Sequence, residues 1–272
     1  MKYEILHGEK VTKIGFGTWR IGGEGSADPA LESASKTALR SALELGYTHF
    51  DTAEYYAGGH AEELLGEAIR ETGIPREKLF ITTKVSPEHL NFENVQRACE
   101  NSLRRLKLDF IDLYLIHWPN PKIRLEETFQ ALNQLVREGK VRHLGVSNFK
   151  LKELSKAYKL SESPLFTNQV RYNLPDKNYQ ENGVLDYCQQ NDILITAYSP
   201  VKFRNLNVNP VIKEIARSHQ ASPSQIALAW LVAQTRVITI PMSYNPLHQK
   251  ENLAAAAIDF TSEEMTKLNS LY

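Results

Sequence analysis

Eight short apolar runs, each followed by a stretch with helical spacing, recur along this 272-residue chain and leave few folds open to it. The runs end near Gly17, Asp51, Lys84, His117, Ser147, Val170, Tyr198 and Ile240. Between them, segments such as Phe92 to Leu106, Glu126 to Arg137 and Pro223 to Ala233 place apolar residues three and four apart, as on a helix with one buried face. Strands that alternate with helices are joined by crossovers, which give a parallel sheet covered by helices. Eight such units in a chain of this length predict a (β/α)8 TIM barrel built as a single domain over residues 1–272. Ahead of the repeat, Tyr3, Ile5 and Val11 alternate around Gly8, which predicts an N-terminal β-hairpin closing the bottom of the barrel. No Pro/Ser-rich run, charge block or low-complexity tract marks a linker.

Charge narrows the partners. Lys plus Arg and Asp plus Glu both number 32, so the chain has no global field to draw in nucleic acid or an anionic membrane. The two cysteines, Cys99 and Cys188, sit in separate helical segments without metal-ligand spacing, which points to reduced thiols in the cytoplasm and to no metal site. The start, MKYEILHGEKV, lacks the basic and apolar run of a signal peptide, and no apolar stretch approaches the roughly 20 residues of a membrane span.

In a barrel of this kind the carboxyl ends of the strands share one face, where chemistry collects. Asp51, Tyr56, Lys84 and His117 lie at or just past the ends of successive strands, so the fold would gather them. Each alone has a plain structural explanation: Asp51 as a turn former, Lys84 as a solvated strand end, His117 as a core histidine. Together they form a chemical set. A buried Lys84 needs an anion, which Asp51 on the neighbouring strand can supply. A cation beside a phenol favours the phenolate, so Tyr56 is expected below its reference pKa of about 10, as a general acid usable near neutral pH.

Seven motifs in order, from Gly15 to about Asn252, resemble the aldo-keto reductase family. FDTAEYY is similar to its DTAxxY segment, TTK and LIHWP to its lysine and histidine segments, and GVSNF, NQV and AYSP to its nicotinamide-contacting segments. The resemblance implies NAD(P)H-dependent reduction of aldehydes and ketones. Tyr56 would donate the proton, Lys84 with Asp51 would tune it, and His117 would orient the carbonyl. It also implies an NADP(H) site built from Gly17, Thr18, Trp19 and Asp51, from Ser147, Asn148 and Gln169, and from Tyr198, Ser199, Val201 and Ile240. Asn148 and Gln169 would bind the carboxamide, and Tyr198 would stack on the ring. Trp19, Tyr55 and Trp118 would wall the substrate side with His117.

One segment departs from the family pattern. Where the resemblance expects IPKSxxxxR, this chain reads IPMSYNPLHQKEN. Ser243, Glu251 and Asn252 match, but Met242 replaces the lysine and His248 the arginine that grip the 2′-phosphate of NADP. Methionine carries no charge and neutral histidine cannot bind phosphate as arginine does, so NAD(H) use is expected alongside NADP(H). The chain has no GxGxxG fingerprint opening a helix. Two other functions remain open at this point: a Schiff-base aldolase acting through Lys84, and a redox-sensing regulatory subunit on the same fold. The partner is expected to be a small carbonyl compound, the protein a monomer or weak homo-oligomer. Short segments after Trp118 and after Asn252 imply an open, permissive pocket whose physiological substrate the sequence leaves unnamed.

Overall fold

The computed structural model describes residues 2–203 and 205–271. The hairpin is present: β1 (Tyr3–Leu6) and β2 (Glu9–Thr12) pair antiparallel with Leu6 opposite Glu9. Its two-residue turn, His7-Gly8, has φ of 49° and 85°, the positive angles that match the twist of a tight hairpin.

Eight parallel strands follow: β3 (Phe16–Gly17), β4 (His49–Asp51), β5 (Phe80–Val85), β6 (Ile111–Ile116), β7 (Val141–Ser147), β8 (Leu165–Arg171), β9 (Leu194–Tyr198) and β10 (Val237–Thr239). They pair in chain order from β3 to β10 and form one curled sheet. At its two edges Ile14 and Thr239 make a parallel bridge, with Gly15 N donating to the Thr239 carbonyl and Thr239 N to the Lys13 carbonyl, both at 2.8 Å.

The helices are α1 (Glu32–Glu44), α2 (His60–Thr72), α3 (Phe92–Leu106), α4 (Leu125–Arg137), α5 (Leu151–Leu160), α6 (Asn178–Glu181), α7 (Val184–Gln190), α8 (Pro210–Ser218), α9 (Pro223–Ala233), α10 (Pro246–Ala254) and α11 (Ser262–Asn269). Their starts follow local chemistry. Asn91 accepts from Asn94 N at the start of α3, while Ser222 and Thr261 form capping boxes with Gln225 and Glu264.

The strands separate two cores because successive side chains point to opposite faces. In β6, Leu113 and Leu115 join Phe80, Phe166, Leu194 and Ile238 with Leu6 and Val11 of the hairpin, whereas Tyr114 and Ile116 join the larger core beneath the helices. Phe80, Phe166 and Leu194 lie at the amino ends of their strands, so the hairpin packs at the end opposite the expected site. Each such leucine or phenylalanine taken out of water contributes about 2 kcal/mol.

The elements differ from the sequence reading in three respects. Strand β3 is only two residues, because Ile14 makes an isolated bridge. A 3-10 turn, Pro29–Leu31, precedes α1. Helices α6 and α10 lie where the sequence reading placed none. Among the described residues no helix is long and apolar enough to cross a membrane.

Candidate active site

Three neighbouring strands deliver the expected side chains to one point. Asp51 closes β4, Lys84 is the last residue but one of β5, and His117 follows β6. Lys84 Nζ donates to Asp51 Oδ1 at 2.6 Å, to the Thr52 carbonyl at 2.7 Å and to the Tyr56 hydroxyl at 3.2 Å. Each ammonium proton therefore has an acceptor. Gln169 Nε2 donates to the other Asp51 oxygen at 2.7 Å. Asp51 and Lys84 are fully buried, and Tyr56 is 8% exposed.

Local backbone holds Tyr56 there. After it, Ala57, Gly58 and Gly59 take left-handed φ of 51°, 65° and 96° before α2 begins. A Cβ on Gly59 would come within 2.8 Å of Arg105 Cδ, so a larger residue would push the turn off its support. Arg105 Nε donates at 2.6 Å to Glu62 on α2, and Glu62 also accepts from the Thr83 hydroxyl at 2.5 Å. This buried pair ties the start of α2 to β5 beside Lys84. Sequence reasoning missed both Glu62 and Arg105, which look like ordinary surface helix charges.

The electrostatics correct one expectation. Burial pushes the Tyr56 phenol above its usual range; the Lys84 ammonium pulls it down, and Asp51 pushes it up again. The net direction is upward, not downward, because burial outweighs the pull of Lys84, which Asp51 partly offsets. Burial alone would lower Lys84, but the Asp51 carboxylate outweighs it and keeps the ammonium charged. Burial likewise pushes the Asp51 carboxyl up against the pull of Lys84 and Gln169. Three acceptors around Nζ require a full ammonium, so the pair is ionised. Burial, with Lys84 adding to it, brings His117 down to about 3, so its imidazole is neutral. Its ring meets the Tyr56 ring edge-on, with centroids 5.7 Å apart.

These groups open into a cleft of about 750 Å³ at the carboxyl ends of the strands. Gly17, Trp19, Asp51, Tyr55, Tyr56, His117 and Trp118 line it, as do Ser147, Asn148, Gln169, Tyr198, Ser199, Val201, Ile240 and Met242. Trp19 and Tyr55 stack with centroids 6.4 Å apart and planes 8° from parallel, and Trp118 is half exposed. All three are rim residues, not core. Thr18 is fully buried, and only its backbone engages the site, donating to the Asp51 carbonyl at 2.8 Å. Asn148, at a left-handed φ of 64°, donates to Ser147 Oγ at 2.9 Å and to the His117 carbonyl at 3.2 Å, and accepts from the Tyr198 hydroxyl at 3.0 Å. Its amide is thus committed within the protein. Gln169, with one N–H given to Asp51, keeps its carbonyl oxygen without a partner among the described residues.

The four remaining expected residues lie apart from the cleft. Ser243 Oγ accepts from Asn245 N at 3.1 Å just before α10, which carries His248 and Glu251 exposed and Asn252 buried toward Tyr47. Cleft residues to which the sequence reading gave no role are Arg20, Ser86, Pro87, Glu88, Pro200 and Pro241, whereas Lys202, a cation that could compensate for the missing phosphate ligands, does line the cleft. Each sits within a few positions of a strand end already singled out, and that adjacency was the available signal.

A curled βα sheet that gathers a phenol, an ammonium and a neutral imidazole at its strand ends has the groups to present a proton donor to a small polar molecule in the cleft. The aldo/keto reductase family profile matches residues 13–272, and the chain belongs to that family. It is 38% identical over 265 residues to the methylglyoxal reductase YeaE of Escherichia coli K12, covering 95% of this chain and 90% of that one. A solved thermostable aldo-keto reductase, Tm1743, bound to the inhibitor epalrestat, superposes with a TM-score of 0.96 at 44% identity over the full length of both chains. An aldo/keto reductase from Klebsiella pneumoniae, solved with NADP and acetate, superposes with a TM-score of 0.88 at 37% identity, covering 97% of this chain and 92% of that one. The protein is an NAD(P)-dependent oxidoreductase that reduces carbonyl compounds.

Proposed function

We propose that Tyr56 donates the proton in reduction of small aldehydes and ketones, on one carrying observation: its hydroxyl lies 3.2 Å from a buried ammonium and opens on the cleft. Because the phenol is held protonated, it is ready to donate. The charge left on its oxygen afterwards falls beside Lys84, where low dielectric strengthens the attraction. Lys84 therefore acts on the product of proton transfer more than on the resting acid. Neutral His117 offers a ring N–H to the same carbonyl oxygen, so two donors face the atom on which charge develops.

A nicotinamide ring suits the half of the cleft bounded by Tyr198, Ser199 and Gln169, which presents an aromatic face and an unpartnered amide oxygen. When bound, the cofactor supplies hydride to the carbonyl carbon. Trp19, Tyr55 and Trp118 wall the other half. Their open rim supports a permissive pocket for small carbonyls, and methylglyoxal is a candidate given the relative named for it.

The same account makes the protein able to use NADH as well as NADPH, since Met242 on the cleft offers no charge to a 2′-phosphate. Schiff-base chemistry is disfavoured, because Lys84 is fully buried and all its protons are engaged. The bridge between Ile14 and Thr239 supports a closed (β/α)8 barrel capped below by the hairpin, with the chain acting as one catalytic unit. Two buried free thiols, Cys99 and Cys188, suit a cytoplasmic protein, and a monomer or weak homo-oligomer is the assembly we infer.

A panel of aldehydes and ketones, followed by loss of nicotinamide absorbance with each cofactor, tests these points together. Turnover of small aldehydes is expected, with kcat/KM for NADPH over NADH below about 100-fold, roughly 2.7 kcal/mol. Met242→Lys is expected to raise that ratio about tenfold. A wild-type ratio well above 100 contradicts the cofactor assignment, and activity confined to one bulky substrate contradicts the open pocket.

A further inference from the structure

Two charges on the cleft lack partners. Of the charged residues lining it, Arg20 pairs with Glu24 at 3.0 Å and Asp51 with Lys84 at 2.6 Å. Glu88 and Lys202 line it too, both exposed, and neither side chain has an ion pair or hydrogen bond among the described residues. Glu88 follows β5 and Lys202 follows β9. With the strands in order from β3 to β10 and the edges bridged, these two strands stand four places apart in either direction around the ring. The charges therefore face each other across the mouth. Glu88 lies on the side flanked by Tyr56 after β4 and by His117 and Trp118 after β6, where the carbonyl compound would enter.

The turn that carries Glu88 is fixed. Glu54 Oε1 accepts from Ser86 N at 2.6 Å and from His89 Nδ1 at 2.9 Å, while Asn120 Nδ2 donates to the Pro87 carbonyl at 2.8 Å. The backbone that carries the Glu88 carboxylate is thereby held at the rim.

We propose that Glu88 is a charge filter: it makes the substrate side of the cleft favour neutral and cationic carbonyl compounds over those that carry a carboxylate. This rests on the cleft being the carbonyl-reducing site. The carboxylate repels an anion at the rim through solvent, so the effect amounts to a few-fold in rate and fades as salt screens it. Lys202 does not cancel it, since it stands on the far wall beside Tyr198 and Ser199.

The test compares 4-carboxybenzaldehyde with 4-nitrobenzaldehyde, which match in shape and differ in charge, on the wild type, Glu88→Gln and Glu88→Lys. At low ionic strength the carboxy-to-nitro ratio of kcat/KM is expected to rise roughly threefold in Glu88→Gln and roughly tenfold in Glu88→Lys, mainly through KM, with both gains shrinking in about 0.5 M salt. A general disturbance of the site moves both substrates together and leaves the ratio alone. An unchanged ratio in Glu88→Lys, or a rise that salt does not touch, overturns the filter while leaving carbonyl reduction standing. Wild type that turns over neither aldehyde overturns both.

Discussion

Lys84 carries three protons and gives them to three acceptors with different consequences. Asp51 keeps it charged, the Thr52 carbonyl fixes its direction, and Tyr56 receives its field. Removing either charged partner would strand the other in a dry interior, at a cost of about 3–5 kcal/mol. Next to Asp51 on alternate register, His49 shows what that interior does to a group without a counter-charge. It is buried, Nε2 meets Thr82 Oγ1 at 3.2 Å, and Nδ1 has no partner. A Cβ on Gly15 would fall 2.6 Å from Nδ1, so glycine is needed at that position. Burial, then Lys84, lowers His49 to about 3. The folded value lies below the unfolded value of about 6.5, so the unfolded chain binds the proton first. Stability is therefore lost as pH falls from about 6.5 toward 3, by about 2 kcal/mol from this one group at pH 5. Urea unfolding at pH 7 and pH 5 checks it: His49→Gln should lose less stability over that interval than wild type, and an equal loss in both would refute the assignment.

Among the elements, the hairpin and the sheet edge form a second ionic centre at the end away from the cleft. Lys13 Nζ donates to the Val232 and Gln234 carbonyls at 2.8 and 3.0 Å and pairs with Glu4 at 2.9 Å. Arg236 joins Glu4 at 3.2 Å, the Ile5 carbonyl at 3.0 Å and Asp192 at 2.7 Å. The hairpin is thus fastened to both edges of the sheet, where Ile14 meets Thr239. Lys13→Met should lower unfolding free energy by about 2 kcal/mol while kcat/KM changes less than twofold, because the cleft lies at the opposite end. Unchanged stability would mean that the seam holds without this network. The longer of the two helices missed in the sequence, α10, shows what its amino acids conceal. Asn245 caps it and Pro246 opens it, yet Leu247 is exposed and Leu253 only partly buried, while Gln249 and Asn252 are buried. Polar residues facing inward leave no apolar stripe to count.

Over the whole molecule, strand order and site position were legible because buried parallel strands are short, mostly apolar runs, as in Leu113 to Ile116, and because Asp51, Lys84 and His117 stand at the ends of such runs. Tertiary consequences were not. The upward push on Tyr56 depends on its burial in the fold, and the commitment of Asn148 to Ser147, His117 and Tyr198 depends on three strands meeting. The tie from Glu62 to Thr83 and Arg105 joins residues far apart in the chain that spacing alone cannot connect. Together the strands hold a phenol, its ammonium neighbour and an imidazole on one cleft, and we propose that carbonyl reduction turns on the hydroxyl of Tyr56. Tyr56→Phe removes that oxygen and keeps the ring, so steady-state reduction of a small aldehyde, alongside nicotinamide binding followed by fluorescence, isolates it. The expected result is a fall in kcat of about 100-fold or more with cofactor affinity changed less than about threefold; retention of more than about a tenth of the wild-type kcat would contradict it.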